Sequence, residues 1–272
     1  MSLSLAGSSL WLLSATSAVA LAGYLSAALK RDADWFGVAL GIGWLAHAFA
    51  IGLHTAGIGE AQPGVRFGFA PALSVTLWLV LAVYAIESRF VPLVGVRRPL
   101  ALLGAAVVEL ALLFPGELRP HAGSPWAPMH WVLGIASYGL FGAALLHAAL
   151  LRRSEQQLRH KPAAGAPAAP AQGLPLLRLE KLTFRFVAAG FVVLSATLLL
   201  GWWFANPWRW DHKSVFSVLA WAVFAALLAG RRAFGWRGRV ATRWLYVGAL
   251  LLLLSYVGSR FVLEVLLHRT AL

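Results

Sequence analysis

The chain has 272 residues, 60% of them hydrophobic and 12% charged, with a mean hydropathy of +0.74 and a formal charge of +13 at pH 7. A soluble domain carries about 25% charged residues, so this composition excludes one and points to a bilayer. There is no cysteine, which removes disulfides, a thiol relay and thiolate ligation from the chain's own chemistry.

A helix that crosses hydrocarbon needs about 20 mostly apolar residues. Eight segments meet that demand: 4–29, 35–57, 69–90, 99–116, 127–151, 182–204, 214–230 and 241–266, the fourth and seventh being the shortest. The predicted fold is all-α, a polytopic membrane bundle of about eight helices forming one domain over 1–272. In the first span Met1 to Gly23 is uncharged, and Lys30 and Arg31 follow the apolar run. A secretory signal places its cations before that run, so the segment reads as a retained anchor.

The second span carries His47 in "GWLAHAFAIGLH", with His54 seven residues on. That spacing is about two helical turns and sets both rings on one stripe, roughly 10 Å apart. An imidazole at this depth needs a partner, either a carbonyl or hydroxyl of another helix or a metal or haem iron. Gly37, Gly41, Gly43 and Gly52 in this span, with Gly134, Gly139 and Gly142 in the fifth, are expected to let helices approach closely. Glu109 in the fourth span is the one prompt for a proton-coupled transporter, and no internal repeat supports that reading.

The fifth span begins with His130 in "WAPMHWVLGIASYGL" and ends near His147. Residues 152–180 include His160, Pro162, Pro167, Pro170 and Pro175 in an Ala/Pro/Gly tract too poor in large apolar side chains to fold alone, so a flexible cytoplasmic linker is expected. Between the sixth and seventh spans, "NPWRWDHKS" packs Trp208, Arg209, Trp210, Asp211, His212 and Lys213 into a connection. Asn, Gly, Ser and Pro would suffice merely to reverse direction. His268 follows the eighth span in "EVLLHRT".

The positive charge alternates with the spans. Of 23 Lys and Arg residues, 17 lie in or beside the connections after the first, third, fifth and seventh spans. The remaining six are Arg66, Arg119, Arg209, Lys213, Arg260 and Arg269. Cations collect on the cytoplasmic side, so both termini are expected outside, in a bacterial-type inner membrane. The charge then records topology, and nucleic acid loses its support as a partner.

This topology puts His130 and His268 on the outer side, from separate helices, beside a tryptophan-rich loop. The pattern suits a flat macrocycle such as haem, with imidazoles on the iron axis, indoles on the ring, and Arg209, Lys213 or Arg260 on the propionates. Solvated loop histidines and interfacial tryptophans account for the same residues without a ligand.

The pieces "MHWVLGIASYGL", "WRWDHKSVFSVLAWAVF", "GWRGRVA" and "LLLLSYVGSRFVLEVLL" resemble the cytochrome c assembly family of membrane haem-handling proteins, the CcsA, CcmC and HemX-like group. The likeness covers about residues 126–268 and is looser before that. In size and in its contracted loop the chain resembles the short YpjD-like branch. The resemblance implies an external haem platform in which Trp208, Trp210 and Asp211 end the family's WWD loop, with Arg209 and Lys213 beside them. His130 matches the upstream flanking histidine, His268 lies about where the downstream one belongs, and His47 resembles a histidine of an early helix. The implied cofactor is haem b, with apocytochrome c and other cytochrome assembly membrane proteins as partners. Phe204 and Ala205 stand where the full motif has Trp and Gly, and Ser214 replaces its Glu.

No nucleophile with an activating base and no phosphate-binding loop is visible, so a hydrolase or an ATP-driven pump is unsupported. Two readings stand: haem handling in cytochrome c maturation, and a non-catalytic accessory protein that keeps the scaffold.

Overall fold

A computed structural model of the protein describes residues 2–30, 32–56, 64–89, 93–120, 126–159, 176–204 and 210–267. Eight long helices answer the eight predicted spans: α1 (Ser2–Leu29), α2 (Ala33–Thr55), α3 (Phe69–Ser88), α4 (Arg97–Leu113), α5 (Ala127–Arg159), α6 (Leu176–Phe204), α7 (His212–Phe234) and α8 (Gly238–Leu253). The last continues to Leu266 through two wider π turns, Leu254–Gly258 and Val262–Leu266. Among the described residues seven helices are long and apolar enough to cross a membrane, and α4, with 17 residues, falls short of them. The protein is a polytopic helical membrane protein, with many large apolar side chains such as Val38, Leu103, Val132 and Val192 turned outward, as lipid permits.

Two limits differ from the sequence reading. The seventh helix is longer than expected at both ends: Asp211 caps it early, its carboxylate accepting the Ser214 N–H at 2.8 Å, and it runs on to Phe234 before Gly235 ends it in a left-handed conformation. Helix also occupies both ends of the expected 152–180 linker, through Arg159 and again from Leu176, and residues 160–175 lie outside those described.

The bundle carries a small ribbon that periodicity did not announce. Strand β1 (Gly64–Phe67) pairs antiparallel with β2 (Glu117–Pro120), Gly64 facing Pro120 and Phe67 facing Glu117. Gly116 turns the chain into β2 at φ 73°, and a Cβ there would stand 2.6 Å from the Phe67 carbonyl oxygen. Only glycine combines that left-handed backbone with that approach. The ribbon marks one end of the bundle, and the up-and-down helix order puts Lys30, Arg89, Arg97, Arg152 and Arg231 at the other.

Two apolar cores fill the interior. Tyr24, Phe36, Leu81, Tyr84, Leu100 and Val108 form the first among α1 to α4. Phe141, Val187, Leu194, Phe224, Leu227 and Leu245 form the second among α5 to α8, where Phe141 stacks on Phe224 at 3.8 Å. Helix α5 feeds both, since Leu146, Leu150 and Leu151 reach into the first.

Of the glycines expected at helix contacts, Gly43 lies 3.1 Å from the Tyr24 ring, Gly139 2.7 Å from Leu79 and Gly142 2.7 Å from Val80, measured from a Cβ placed on each. Gly37, Gly41 and Gly52 correct the expectation: nothing lies within 4 Å of theirs, so they leave open wall instead of close packing.

Candidate functional site

His130 sits in the first turn of α5, its N–H bonded to the Trp126 carbonyl at 3.0 Å. Its Nδ1 lies 3.0 Å from the Thr197 carbonyl on α6. A carbonyl can only accept, so Nδ1 carries the proton and the lone pair resides on Nε2. The ring fits because the next turn of α6 presents Gly201, where a Cβ would stand 2.9 Å from Cε1 and 3.9 Å from Nε2. Bare backbone at Gly201 and an available carbonyl at Thr197 together make a notch that fixes both the tautomer and the orientation of the imidazole.

His130 forms part of the wall of a cavity of about 290 Å³ at the ribbon end, enclosed by β1, α3, α5, α6, α7 and the continuation of α8. Its walls are amphipathic. Trp131 and Tyr256 flank Phe67, with ring centroids 5.5 and 5.9 Å away. Tyr138 donates to the Leu252 carbonyl and lies 3.1 Å from Ser255 Oγ, where the first π turn begins to shift the hydrogen-bond pattern. Lys213 and Arg260 bring positive charge to the cavity, and Arg260 is also held 3.2 Å from Glu117 Oε2.

The helical period explains the grouping. His130, Gly134 and Tyr138 repeat every four residues along α5, as do Lys213 and Ser217 on α7, and Leu252, Tyr256 and Arg260 on the last helix. Sequence reading singled out His130, Lys213 and Arg260 but passed over Trp131, Tyr138, Thr197, Gly201 and Tyr256. The four-residue repeat was the available signal for the tyrosines. The contribution of Thr197 is a main-chain carbonyl, which leaves no mark in the sequence.

The remaining anticipated residues separate. Trp210 is 70% exposed just before α7. Asp211 serves as the cap already described; burial pushes its carboxyl upward, but the Ser214 bonds and the nearby Lys213 and His212 outweigh this and hold it below its ordinary value. Trp208, Arg209 and His268 lie outside the described residues. His47 does not reach this cavity. Its ring is 1% exposed within the first core, Nδ1 3.0 Å from Tyr24 Oη and Nε2 2.7 Å from Ser74 Oγ, so it ties α1, α2 and α3 together. Next to it, with His54, is a void of about 20 Å³, room for one water. His147 bonds the Ala143 carbonyl at 2.8 Å and approaches Glu87 Oε2 at 2.8 Å. Among the described residues no group of three or more His, Asp or Glu side chains is placed to hold a bare metal ion.

Comparison with known proteins agrees with this architecture. The family described as "Cytochrome C assembly protein" matches residues 18–267. The chain is 28% identical over 256 residues to the inner membrane protein YpjD of Escherichia coli (strain K12), covering 91% of this chain and 95% of that protein. It is 27% identical over 299 residues to the cytochrome c biogenesis protein CcsA of Gloeobacter violaceus, covering 89% and 88%. The likeness to CcsA of Prochlorococcus marinus is 26% identity over 195 residues, 60% of this chain and 61% of the relative. No solved structure matches. With the family match running through all eight helices, the chain belongs to the cytochrome c assembly protein family.

Proposed function

We propose that this protein works in cytochrome c biogenesis in a bacterial inner membrane, holding haem as cargo in the cavity beside His130. The single observation that carries the reading is the Thr197–Gly201 notch, which fixes the His130 proton on Nδ1 and keeps Nε2 as the ligating nitrogen.

The residues present fit the group. A planar macrocycle needs an axial imidazole, apolar and aromatic walls, and cations for two carboxylates; His130, the Phe67–Trp131–Tyr256 cluster, Lys213 and Arg260 supply these. A cavity of about 290 Å³ stands at the lower edge of the roughly 300–1,000 Å³ of small-molecule pockets. Haem iron, which His130 would hold, would supply the redox centre. The chain's own part is to orient the His130 imidazole, to offer positive charge through Lys213, and to give the ring dry walls.

The one-sided distribution of cations supports a reading in which the ribbon end lies outside, and both termini with it. A reading of 1–272 as one domain accords with α5, which packs into both cores. His268, outside the described residues, is proposed as a second histidine that would hold the haem iron.

Purified protein is the test. It should show the absorption of low-spin, bis-imidazole haem as isolated or after haem is added, and His130→Ala should weaken it. A colourless preparation that takes up no haem overturns the reading in favour of the accessory scaffold, for which the doubly bonded His47 already shows how a histidine of this fold can serve packing alone.

A further inference from the structure

A second recess opens at the basic end, far from the His130 cavity. Trp44 of α2 and Trp78 of α3 stack with centroids 4.6 Å apart and planes 9° from parallel. Each indole N–H donates to the other residue's main-chain carbonyl at 3.1 Å. This reciprocal clasp bridges the two helices near mid-membrane. From there to the basic end they leave a groove of about 650 Å³ that ends at Arg89 and Arg97.

Its wall on α2 is nearly bare. Gly37 and Gly41 face no atom within 4 Å of a placed Cβ, while Leu45 and Ile86 at the mouth are 55% and 61% exposed. From Gly37 to Leu45 the groove follows eight residues of helix, about 12 Å at 1.5 Å per residue, and this stretch is apolar. The closed end at Trp44 and the lateral opening to lipid suit one acyl chain lying against the helix.

The head of the groove is different. Among the described residues Arg89 and Arg97 line it without any carboxylate. The Tyr84 hydroxyl, in a side chain 1% exposed, interacts with the Arg97 guanidinium, while the buried Arg97 Nε–H has no hydrogen-bond partner among the described residues. This buried donor calls for an acceptor, and two guanidinium groups call for a negative one. A neutral acceptor such as a quinone carbonyl would leave the charge uncompensated.

We infer that the α2–α3 groove is a binding site for an anionic phospholipid, with the phosphate on Arg89, Arg97 and Tyr84 and one acyl chain running past Gly37 and Gly41 to the Trp44–Trp78 clasp. Basic recesses between helices at the cytoplasmic level are suited to such head groups. The site is independent of haem.

Full-length protein in mild detergent is titrated with phosphatidylglycerol, phosphatidylcholine, and sn-glycerol 3-phosphate as a head without a chain, reading bound lipid by native mass spectrometry and the unfolding temperature. Phosphatidylglycerol should bind and raise that temperature, with little effect of the other two. Arg89→Gln combined with Arg97→Gln should weaken binding about thirtyfold, roughly fivefold for each cation at a membrane surface. Gly41→Leu keeps the head and fills the groove, at a lipid-facing position where the larger residue is compatible with helix, and should also abolish binding. Equal binding of phosphatidylglycerol and phosphatidylcholine, or retention of phosphatidylglycerol by Gly41→Leu, overturns the inference. So does a full response to sn-glycerol 3-phosphate, which assigns the head to free phosphate.

Discussion

Arg260 reaches out of the last helix to Glu117 on β2, its guanidinium 3.2 Å from the carboxylate and its side chain 1% exposed. Although 143 residues apart in sequence, the two groups fasten the ribbon to the wall of the His130 cavity. Removing one member of a buried pair strands the other charge, typically at about 3–5 kcal/mol. Arg260→Ala should therefore lower the unfolding temperature in detergent sharply. Glu117→Gln should lower it as well, since it leaves the 1%-exposed Arg260 guanidinium without this carboxylate, although the amide oxygen can still accept a hydrogen bond.

Gly201 is predicted to be the more selective probe. Gly201→Ala puts a Cβ 2.9 Å from His130 Cε1, so the imidazole must leave the Thr197 carbonyl. Helix content should be unchanged, as alanine favours helix over glycine by about 1 kcal/mol. Uptake of added haem, followed by absorption, should fall nearly as far as in His130→Ala.

His47→Phe gives the opposite pattern. It leaves the Tyr24 hydroxyl and the Ser74 hydroxyl without their imidazole partner deep in the first core. Interhelical bonds in bilayers average about 0.6 kcal/mol each, and stranded hydroxyls add to the loss, so a destabilisation of about 1–3 kcal/mol is expected. The haem spectrum of the folded fraction should match that of the unsubstituted protein. A selective loss of haem with unchanged stability would reassign His47 to the cofactor.

Asp211→Ala removes the α7 cap at an expected cost of about 1 kcal/mol, readable as a lower unfolding temperature. The pH dependence follows from the sign of the shift. The carboxyl is held below its ordinary 3.8 in the folded protein, chiefly against burial, by Ser214, Lys213 and His212. Its contribution is complete above the unfolded value and is lost as pH falls through the depressed folded value. The difference in stability between Asp211→Ala and the unsubstituted protein should be constant near neutrality and shrink only below about pH 4.

All eight helices were legible because apolar length is a signal that lipid enforces along the chain, and the grouping of cations supplied their alternation. His130 and Lys213 were legible as chemistry placed at span ends. What escaped depended on contacts between distant segments. The β1–β2 ribbon has only four residues a side, too few for an alternating pattern. The Thr197 notch uses main-chain atoms, and the glycines of α2 look alike in sequence although Gly43 meets Tyr24 and Gly41 meets nothing. For His47, depth announced that a partner was required, and only the fold shows the hydroxyls of Tyr24 and Ser74 beside its ring.

The Trp44–Trp78 clasp gives the molecule an internal optical reporter. Two stacked indoles 4.6 Å apart couple their electronic transitions, so the pair should add a far-ultraviolet circular dichroism contribution that Trp44→Phe removes. Because one ring belongs to α2 and the other to α3, that contribution would follow any separation of these two helices in real time, without an added label.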